Sequence, residues 1–374
     1  ECILPSTIYY TDDDGVPEPT PYTVTELHLS YWSGVTSDNN NYTALVLPDT
    51  LTDIGGSLSG FKNVTEITIP GSVKSVGWSA FKDCTGLTGI TISNGVTIIE
   101  GSAFEGCTSL TAIAIPDSVT DIGYNAFKDC IGLAEITIPD SVTLIGGSAF
   151  NGCTGLTAIT IPNSVTDIYD DAFYGCTSLT EITIPDGVTN IYDDVFYGCT
   201  SLEEITIPDN VKSVGQEAFF DCVSLKEITI PDGATSIGWR AFKGCTSLTR
   251  ITIPDSVTNI DGETFEDCNN VTIYGYTGSY AETYAKKKDI PFVSLGNATI
   301  LDPTLAKGDL DGSDRIDSTD IFYTMYYVAN VAVGNPGGLT TEQIAAADVD
   351  VDVLRHHDRV VHHQSDREHH RQHC

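Results

Sequence analysis

Apolar residues recur along most of the chain in one pattern, LxxIxIPxxVxxI followed by AFxxC, as in residues 110–130. Cysteines mark the period of this pattern, because they recur every 23 residues at positions 84, 107, 130, 153, 176, 199, 222, 245 and 268. Imperfect copies begin at Leu45 and Ile67, and a degenerate copy begins at Val271, which makes about eleven turns. So regular a period predicts a solenoid of stacked turns.

The Ile-Thr-Ile segment of each turn has the alternation of a β-strand, and the proline after it ends the strand because it cannot donate a ladder hydrogen bond. We therefore predict one short parallel strand in each turn. Eleven such strands, ~4.8 Å apart, would form a sheet ~50 Å long. The Leu, Ile, Val, Phe and Cys positions would stack beneath it as one continuous core.

If the isoleucines of each strand face this core, the alternate residues face solvent from a concave sheet. Threonine fills one exposed row, with Ala114 as the exception. The neighbouring row carries acidic residues and one basic residue: Glu66, Glu135, Glu181, Glu204, Glu227 and Arg250. We take Glu135, Glu181, Glu204 and Glu227 as candidate partner-binding residues for a basic or hydroxyl-rich ligand, although strand propensity alone also explains the threonines.

A second group of polar and aromatic residues lies on the turn that flanks the strands. Residues 169–171, Tyr-Asp-Asp, are followed by Tyr174, and the same group recurs at residues 192–194 with Tyr197. Aromatic rings beside carboxylates suit a sugar or a cation. A solvated face without a ligand is the other interpretation.

The cysteine positions allow two interpretations. Neighbours on adjacent turns would lie about 5 Å apart, within reach of a disulfide. Nine equivalent positions beside phenylalanine are also typical of small buried apolar residues, and we favour inert thiols.

The repeat unit, over residues 43–276, resembles the leucine-rich repeats of the bacterial surface protein A type. This resemblance implies a curved solenoid from an exported bacterial protein that functions in adhesion or protein contact. It does not identify a ligand.

The chain changes character after the last repeat. Residues 278–288 predict a short helix and residues 291–295 a closing strand, which together would cover the solenoid end. Residues 296–307 are linker-like in composition. Next comes a series of oxygen ligands at positions 1, 3, 5, 9 and 12 of a twelve-residue loop, followed by an apolar helical segment from Ile321. Such spacing predicts an EF-hand-like calcium module.

The sequence GDLDGSDRIDSTD and the helical segment after it resemble the first repeat of a type I dockerin, the module that binds a cohesin on a cellulosome scaffold. The resemblance implies calcium ligands at Asp309, Asp311, Ser313, the Arg315 carbonyl, Asp317 and Asp320. It also implies that Ser318 and Thr319 contact the cohesin. Ser313 replaces a carboxylate, and Asp314 occupies the usual glycine position, so calcium affinity could be reduced.

A second loop begins with Asp348, Asp350 and Asp352 at positions 1, 3 and 5, and the pattern then stops. Seven of the eight histidines lie between His356 and Cys374. We hypothesise that the gene is read out of frame after Asp352, which DNA sequencing tests. Zinc or nickel binding by the histidines is the alternative.

Composition and charge reduce the range of possible partners further. With 52 acidic and 18 basic residues, the net charge of -34 disfavours nucleic acids and anionic membranes and favours basic or calcium-bearing partners. The sequence contains no run of 18 apolar residues, so we do not predict membrane insertion. It starts at Glu1 without an initiator Met, a basic start or an apolar signal stretch, so we expect a mature form or a fragment and infer secretion from the module types.

The sequence contains no GxSxG, HExxH or phosphate-binding glycine loop, and we expect a non-catalytic protein.

The predicted regions are an N-terminal segment or cap (1–42), leucine-rich repeats (43–276), a C-terminal cap (277–295), a linker (296–307), a dockerin-like module (308–352) and a tail (353–374) that we expect to be disordered. The expected function is a secreted interaction protein that binds a protein or glycan through its solenoid, calcium through the module, and a cohesin on a cellulosome scaffold. A cell-surface adhesin is the alternative, and a carbohydrate-active enzyme component is the third option.

Overall fold

The computed structural model describes residues 43–297, except 56–57, together with four two-residue strands nearer the N-terminus. The described chain is a parallel β-solenoid of about eleven turns with the 23-residue period, as predicted. One strand from each turn contributes to a layer that we call the front layer. Its strands are β1 (Cys2–Ile3), β5 (Ala44–Val46), β7 (Glu66–Ile69), β9 (Gly89–Ile92), β11 (Ala112–Ala114), β13 (Glu135–Thr137), β15 (Ala158–Thr160), β17 (Glu181–Thr183), β19 (Glu204–Thr206), β21 (Glu227–Thr229), β23 (Arg250–Thr252) and β25 (Thr272–Thr277).

The prediction of one strand per turn was wrong, because each turn contributes a second, two-residue strand to a back layer. Its strands are β4 (Glu26–Leu27), β6 (Asp53–Ile54), β8 (Ser75–Val76), β10 (Ile98–Ile99), β12 (Asp121–Ile122), β14 (Leu144–Ile145), β16 (Asp167–Ile168), β18 (Asn190–Ile191), β20 (Ser213–Val214), β22 (Ser236–Ile237) and β24 (Asn259–Ile260). Two residues are too few to show alternation, so these segments carry no period-two signal.

Both layers pair in parallel, and from β7 to β24 the offset between paired residues is one 23-residue repeat. Ile136 lies opposite Ile159 in the front layer, and Ile122 lies opposite Ile145 in the back layer. The front-layer ladder is continuous from β1 to β19 and again from β21 to β25, and the back-layer ladder is interrupted between β16 and β18. The N-terminal segment adds β1 and β4 to the two layers, and it also contains the antiparallel pair β2 (Thr7–Ile8) and β3 (Tyr22–Thr23).

The core between the layers is built from ladders of identical side chains. Nine phenylalanines, from Phe81 to Phe265, stack in sequence with ring centroids 5.2 to 5.7 Å apart. Because each ring contacts its own equivalent on the next turn, every turn completes the packing of its neighbour.

The end of the repeats is covered by helix α1 (Tyr280–Lys287) and strand β26 (Phe292–Asn297), which lies beside β25. This agrees with the helix and strand predicted there. Ser279 begins the helix as its N-cap, where its hydroxyl accepts a hydrogen bond from the amide of Glu282. The ring of Tyr284 meets Phe265 edge-on with centroids 5.9 Å apart, so the helix ends the phenylalanine stack.

Candidate functional site

The front layer exposes alternate residues of every strand. In β13, Glu135 and Thr137 are exposed and Ile136 between them is buried, and the same alternation holds in β17, β19 and β21. The structure therefore places all four candidate glutamates in one solvent-exposed row: Glu135, Glu181, Glu204 and Glu227.

The parallel register brings the acidic side chains of this row together. Glu181 is the direct ladder partner of Glu204, on strands separated by ~4.8 Å. Like charges directly opposite each other are unfavourable in a sheet. The row therefore holds a concentration of negative charge that the fold itself does not require. At its C-terminal end, the Arg250 guanidinium lies 4.2 Å from the centroid of the Tyr274 ring.

Two shallow depressions lie on this face. The first, of about 520 Å³, extends over β7, β9, β11 and β13. Its lining includes Gly89, which has no side chain, and the small side chains of Ala112 and Ala114, and Glu66 and Glu135 lie on opposite sides. The second, of about 600 Å³, lies where the ladder is interrupted between β19 and β21, and its lining includes Glu204 and Glu227.

Several basic side chains are already paired with acids on adjacent turns, one repeat away. Lys82 contacts Glu105 at 2.9 Å, Arg240 contacts Glu263 at 2.7 Å and Lys243 contacts Glu266 at 2.6 Å, and Lys226 also pairs with Glu203. Lys82, Arg240 and Lys243 therefore do not neutralise the glutamate row, whereas Lys226 lines the second depression and interacts electrostatically with Glu204.

Each tyrosine of the first flanking group stacks on its equivalent in the next turn of the solenoid. The ring centroids of Tyr174 and Tyr197 lie 4.5 Å apart, and those of Tyr169 and Tyr192 lie 5.5 Å apart. The neighbouring carboxylates bond within the fold: Asp170 accepts a hydrogen bond from the amide of Asp193, whose own carboxylate accepts one from the amide of Gln216.

Burial first, and then the negative charges of Asp171 and Glu217, together raise the pKa of the Asp194 carboxyl to about 6. Within residues 43–297, no group of three or more His, Cys, Asp or Glu side chains is placed to hold a metal ion.

The nine repeat cysteines are free and buried, in agreement with the preferred interpretation. Each thiol donates a hydrogen bond to a backbone carbonyl 26 residues earlier, as from Cys153 to Phe127 at 3.1 Å. Burial raises the pKa of Cys153 to about 12, so this thiol is not a nucleophile at neutral pH. Cys268 differs, because a hydrogen bond with Cys245 lowers its pKa.

The predicted calcium and cohesin-binding residues lie outside the described residues. They are Asp309, Asp311, Ser313, Arg315, Asp317, Ser318, Thr319, Asp320, Asp348, Asp350 and Asp352. Among the described residues, no helix combines the length and apolar character of a membrane span.

One exposed feature was not predicted from the sequence. The side chains of Trp78 and Tyr124 are 61% and 54% exposed and occupy the same position in different turns. Glycine occupies that position in the turn after each of them, at Gly101 and Gly147. This alternation of an aromatic residue and glycine at one repeat position was the available signal.

Comparison with known protein families gives a match to the BspA type leucine rich repeat region, in six copies over residues 36–157 and 145–272. A leucine-rich repeat protein from Bacteroides ovatus is 27% identical, with a TM-score of 0.48, and the alignment covers 78% of this chain and 91% of that one. A leucine rich cell surface protein from Faecalibacterium prausnitzii is 29% identical, with a TM-score of 0.45 and coverage of 76% and 89%. The T. pallidum leucine-rich repeat protein is 26% identical, with a TM-score of 0.40 and coverage of 59% and 88%. Comparison with curated proteins gives no significant match.

Proposed function

Because the chain belongs to the BspA-type leucine-rich repeat family, we propose that it is an extracellular or cell-surface interaction protein whose front layer binds a basic segment of another protein. The observation that carries this proposal is the exposed row of Glu135, Glu181, Glu204 and Glu227. A rigid strand layer holds these carboxylates in fixed positions, which lowers the ordering cost of binding an extended cationic segment.

The charge of the whole chain supports a basic partner. A net charge of -34 accelerates encounter with cationic partners and slows encounter with anionic ones. The two depressions beside the row provide space for the apolar parts of lysine or arginine side chains.

The test uses the full chain and two neutralised variants. The probes are a decalysine peptide and an uncharged Gly-Ser peptide of equal length. Replacement of Glu181, Glu204 and Glu227 by Gln should weaken decalysine binding about tenfold at low salt, with a smaller loss at high salt. The matched control carries Asp53→Asn, Asp121→Asn and Asp167→Asn, which remove the same charge from the back layer. Equal losses in both variants would mean that net charge alone attracts the probe and would refute a front-layer site.

For the C-terminal region we propose a calcium module that attaches the chain to a cohesin, as the resemblance of residues 308–352 to a dockerin implies. Asp309, Asp311, Asp317 and Asp320 would supply side-chain oxygens to Ca²⁺. Calorimetric titration of calcium and then of a cohesin should show binding to the full chain and loss of both in Asp309→Asn/Asp320→Asn. If only a chain with the second loop restored binds, the first loop is insufficient and the natural chain does not dock.

An adhesin would use the same front layer on a host or cell-surface protein, and the proposal applies equally to it. The third option, a carbohydrate-active enzyme component, would require glycan turnover by the purified chain. Incubation with glycans and analysis of the released sugars tests this option separately from binding.

A further inference from the structure

Three exposed aromatic side chains follow one flank of the solenoid. Trp78, Tyr124 and Tyr169 are 61%, 54% and 38% exposed. Trp78 and Tyr124 occupy the same repeat position and are separated by 46 residues, which is two turns of the 23-residue repeat. Since neighbouring strands are ~4.8 Å apart, these two rings recur at ~10 Å. Tyr169 follows 45 residues later, one position earlier in its repeat, where Tyr192 is its equivalent on the next turn.

Each of these rings packs against a residue of the next turn. A Cβ atom added at Gly101 would lie 2.3, 2.6 and 2.7 Å from the Trp78 atoms Cζ3, Cη2 and Cε3. Near-equal distances to three consecutive ring atoms place Gly101 against the face of the indole. A Cβ at Gly147 would lie 3.3 Å from Cδ2 of Tyr124, and Tyr169 stacks on Tyr192 with centroids 5.5 Å apart.

The backing fixes each ring while most of the Trp78 and Tyr124 surface remains in solvent. The core does not use these rings, because its own aromatic ladder is the buried stack from Phe81 to Phe265. Large aromatic side chains held open to solvent at a regular spacing are typical of a surface that binds a ligand.

We propose that this aromatic row, formed by Trp78, Tyr124 and Tyr169, binds an extended neutral glycan of the β-1,4-linked class. In such a chain every second sugar presents the same apolar ring face, and this two-sugar repeat is comparable to the two-turn spacing of Trp78 and Tyr124, with Tyr169 further along the same flank. The strongly acidic surface disfavours anionic polysaccharides, whereas exposed carboxylates such as Asp170 accept hydrogen bonds from sugar hydroxyls. The site lies on a different surface from the front layer and adds to the proposed function.

A cationic peptide is the competing occupant, because ammonium and guanidinium groups also bind aromatic faces. The neighbouring carboxylates would favour it as well. To distinguish the two classes of ligand, cellohexaose serves as the glycan probe and decalysine as the peptide probe, and binding of each to the same protein is measured.

The experiment measures cellohexaose affinity by calorimetry for the full chain and for Trp78→Ala, Tyr124→Ala and Tyr169→Ala. Each substitution should weaken binding about three- to tenfold. Trp239→Ala is the matched control, because Trp239 occupies the same repeat position and the Arg240 guanidinium already lies 3.8 Å from its ring centroid. Affinity of the Trp239 variant should equal that of the unmodified chain.

Three further results decide the proposal. Trp78→Phe should retain most of the affinity that Trp78→Ala loses, since a flat ring remains. The Glu181, Glu204 and Glu227 variant should bind cellohexaose normally, which separates this site from the front layer. No binding of cellohexaose, or loss of decalysine rather than cellohexaose binding in the three alanine variants, would overturn the glycan site.

Discussion

At the residue scale, the carboxyl of Asp194 is the group whose environment has the clearest consequence for stability. Its backbone is left-handed, with φ of 58°, and burial and neighbouring acids raise its pKa from 3.8 to about 6. A carboxyl with a higher pKa in the folded state binds its proton more tightly when folded than when unfolded. Its ionisation therefore destabilises the fold progressively as pH rises from about 4 to about 6.

We predict that Asp194→Asn is more stable than the unmodified chain at pH 7.5. The full shift corresponds to ~3 kcal/mol, and because the carboxyl remains partly exposed, solvent screening reduces the expected gain to ~1 kcal/mol. Thermal unfolding at pH 7.5 and about pH 3 measures it, and the gain should disappear at about pH 3, which is below the pKa of the carboxyl in both states. Asp186→Asn, an exposed carboxyl outside this cluster, is the control, and a gain of equal size there would contradict the local explanation.

At the element scale, helix α1 closes the core by ending the phenylalanine stack. Tyr284 is 5% exposed and packs edge-on against Phe265, and Ala281 and Ala285 beside it are also buried. Without this ring, Phe265 would present an open face at the end of the solenoid.

We predict that Tyr284→Ala destabilises the C-terminal turns by ~3 kcal/mol, as expected for loss of a buried aromatic side chain. Because each turn contacts only its neighbours, the loss should be local. Amide hydrogen exchange should accelerate in β23 and β25 and remain slow in β9 and β11. Tyr280→Ala, on an exposed part of the same helix, is the control, and uniform acceleration over all turns would exclude local closure.

The sequence predicted the elements with clear periodicity. The Ile-Thr-Ile strands, helix α1 and the inward direction of Ile136 and its equivalents follow from local pattern and are present in the structure. The back-layer strands, such as Asp167–Ile168, were not predictable because two residues form a strand only when the adjacent turns supply both ladder partners. The same limit applies to the aromatic row, since the support of Trp78 by Gly101 depends on contact between turns.

At the scale of the whole molecule, stability is a sum over turns and their interfaces rather than the property of one central core. The constant register means that any turn can contact the turn after next in the same way as it contacts its present neighbour. The repeat length of 23 residues is therefore a stronger constraint than the number of repeats.

We predict that deletion of residues 131–153, one complete repeat, gives a folded protein with a slightly lower thermal midpoint, because Cys130 is then followed by an equivalent residue, Thr154. Deletion of residues 142–153, about half a repeat, should abolish cooperative unfolding, because it shifts every later turn out of register with the turns before the deletion. Circular dichroism and calorimetry measure both. Similar stability of the two deletions would show that register is not the limiting factor.

The stacked tyrosines have a consequence for how such a chain can arise. Residues 168–187 and 191–210 differ at three of twenty positions, and Tyr169 and Tyr174 stack on their own copies, Tyr192 and Tyr197. A side chain that packs against itself gains a complementary neighbour at the moment its coding unit is duplicated. The gene can therefore lengthen in steps of 23 codons. Each new turn then packs against the turn from which it was copied through side chains that already fit each other.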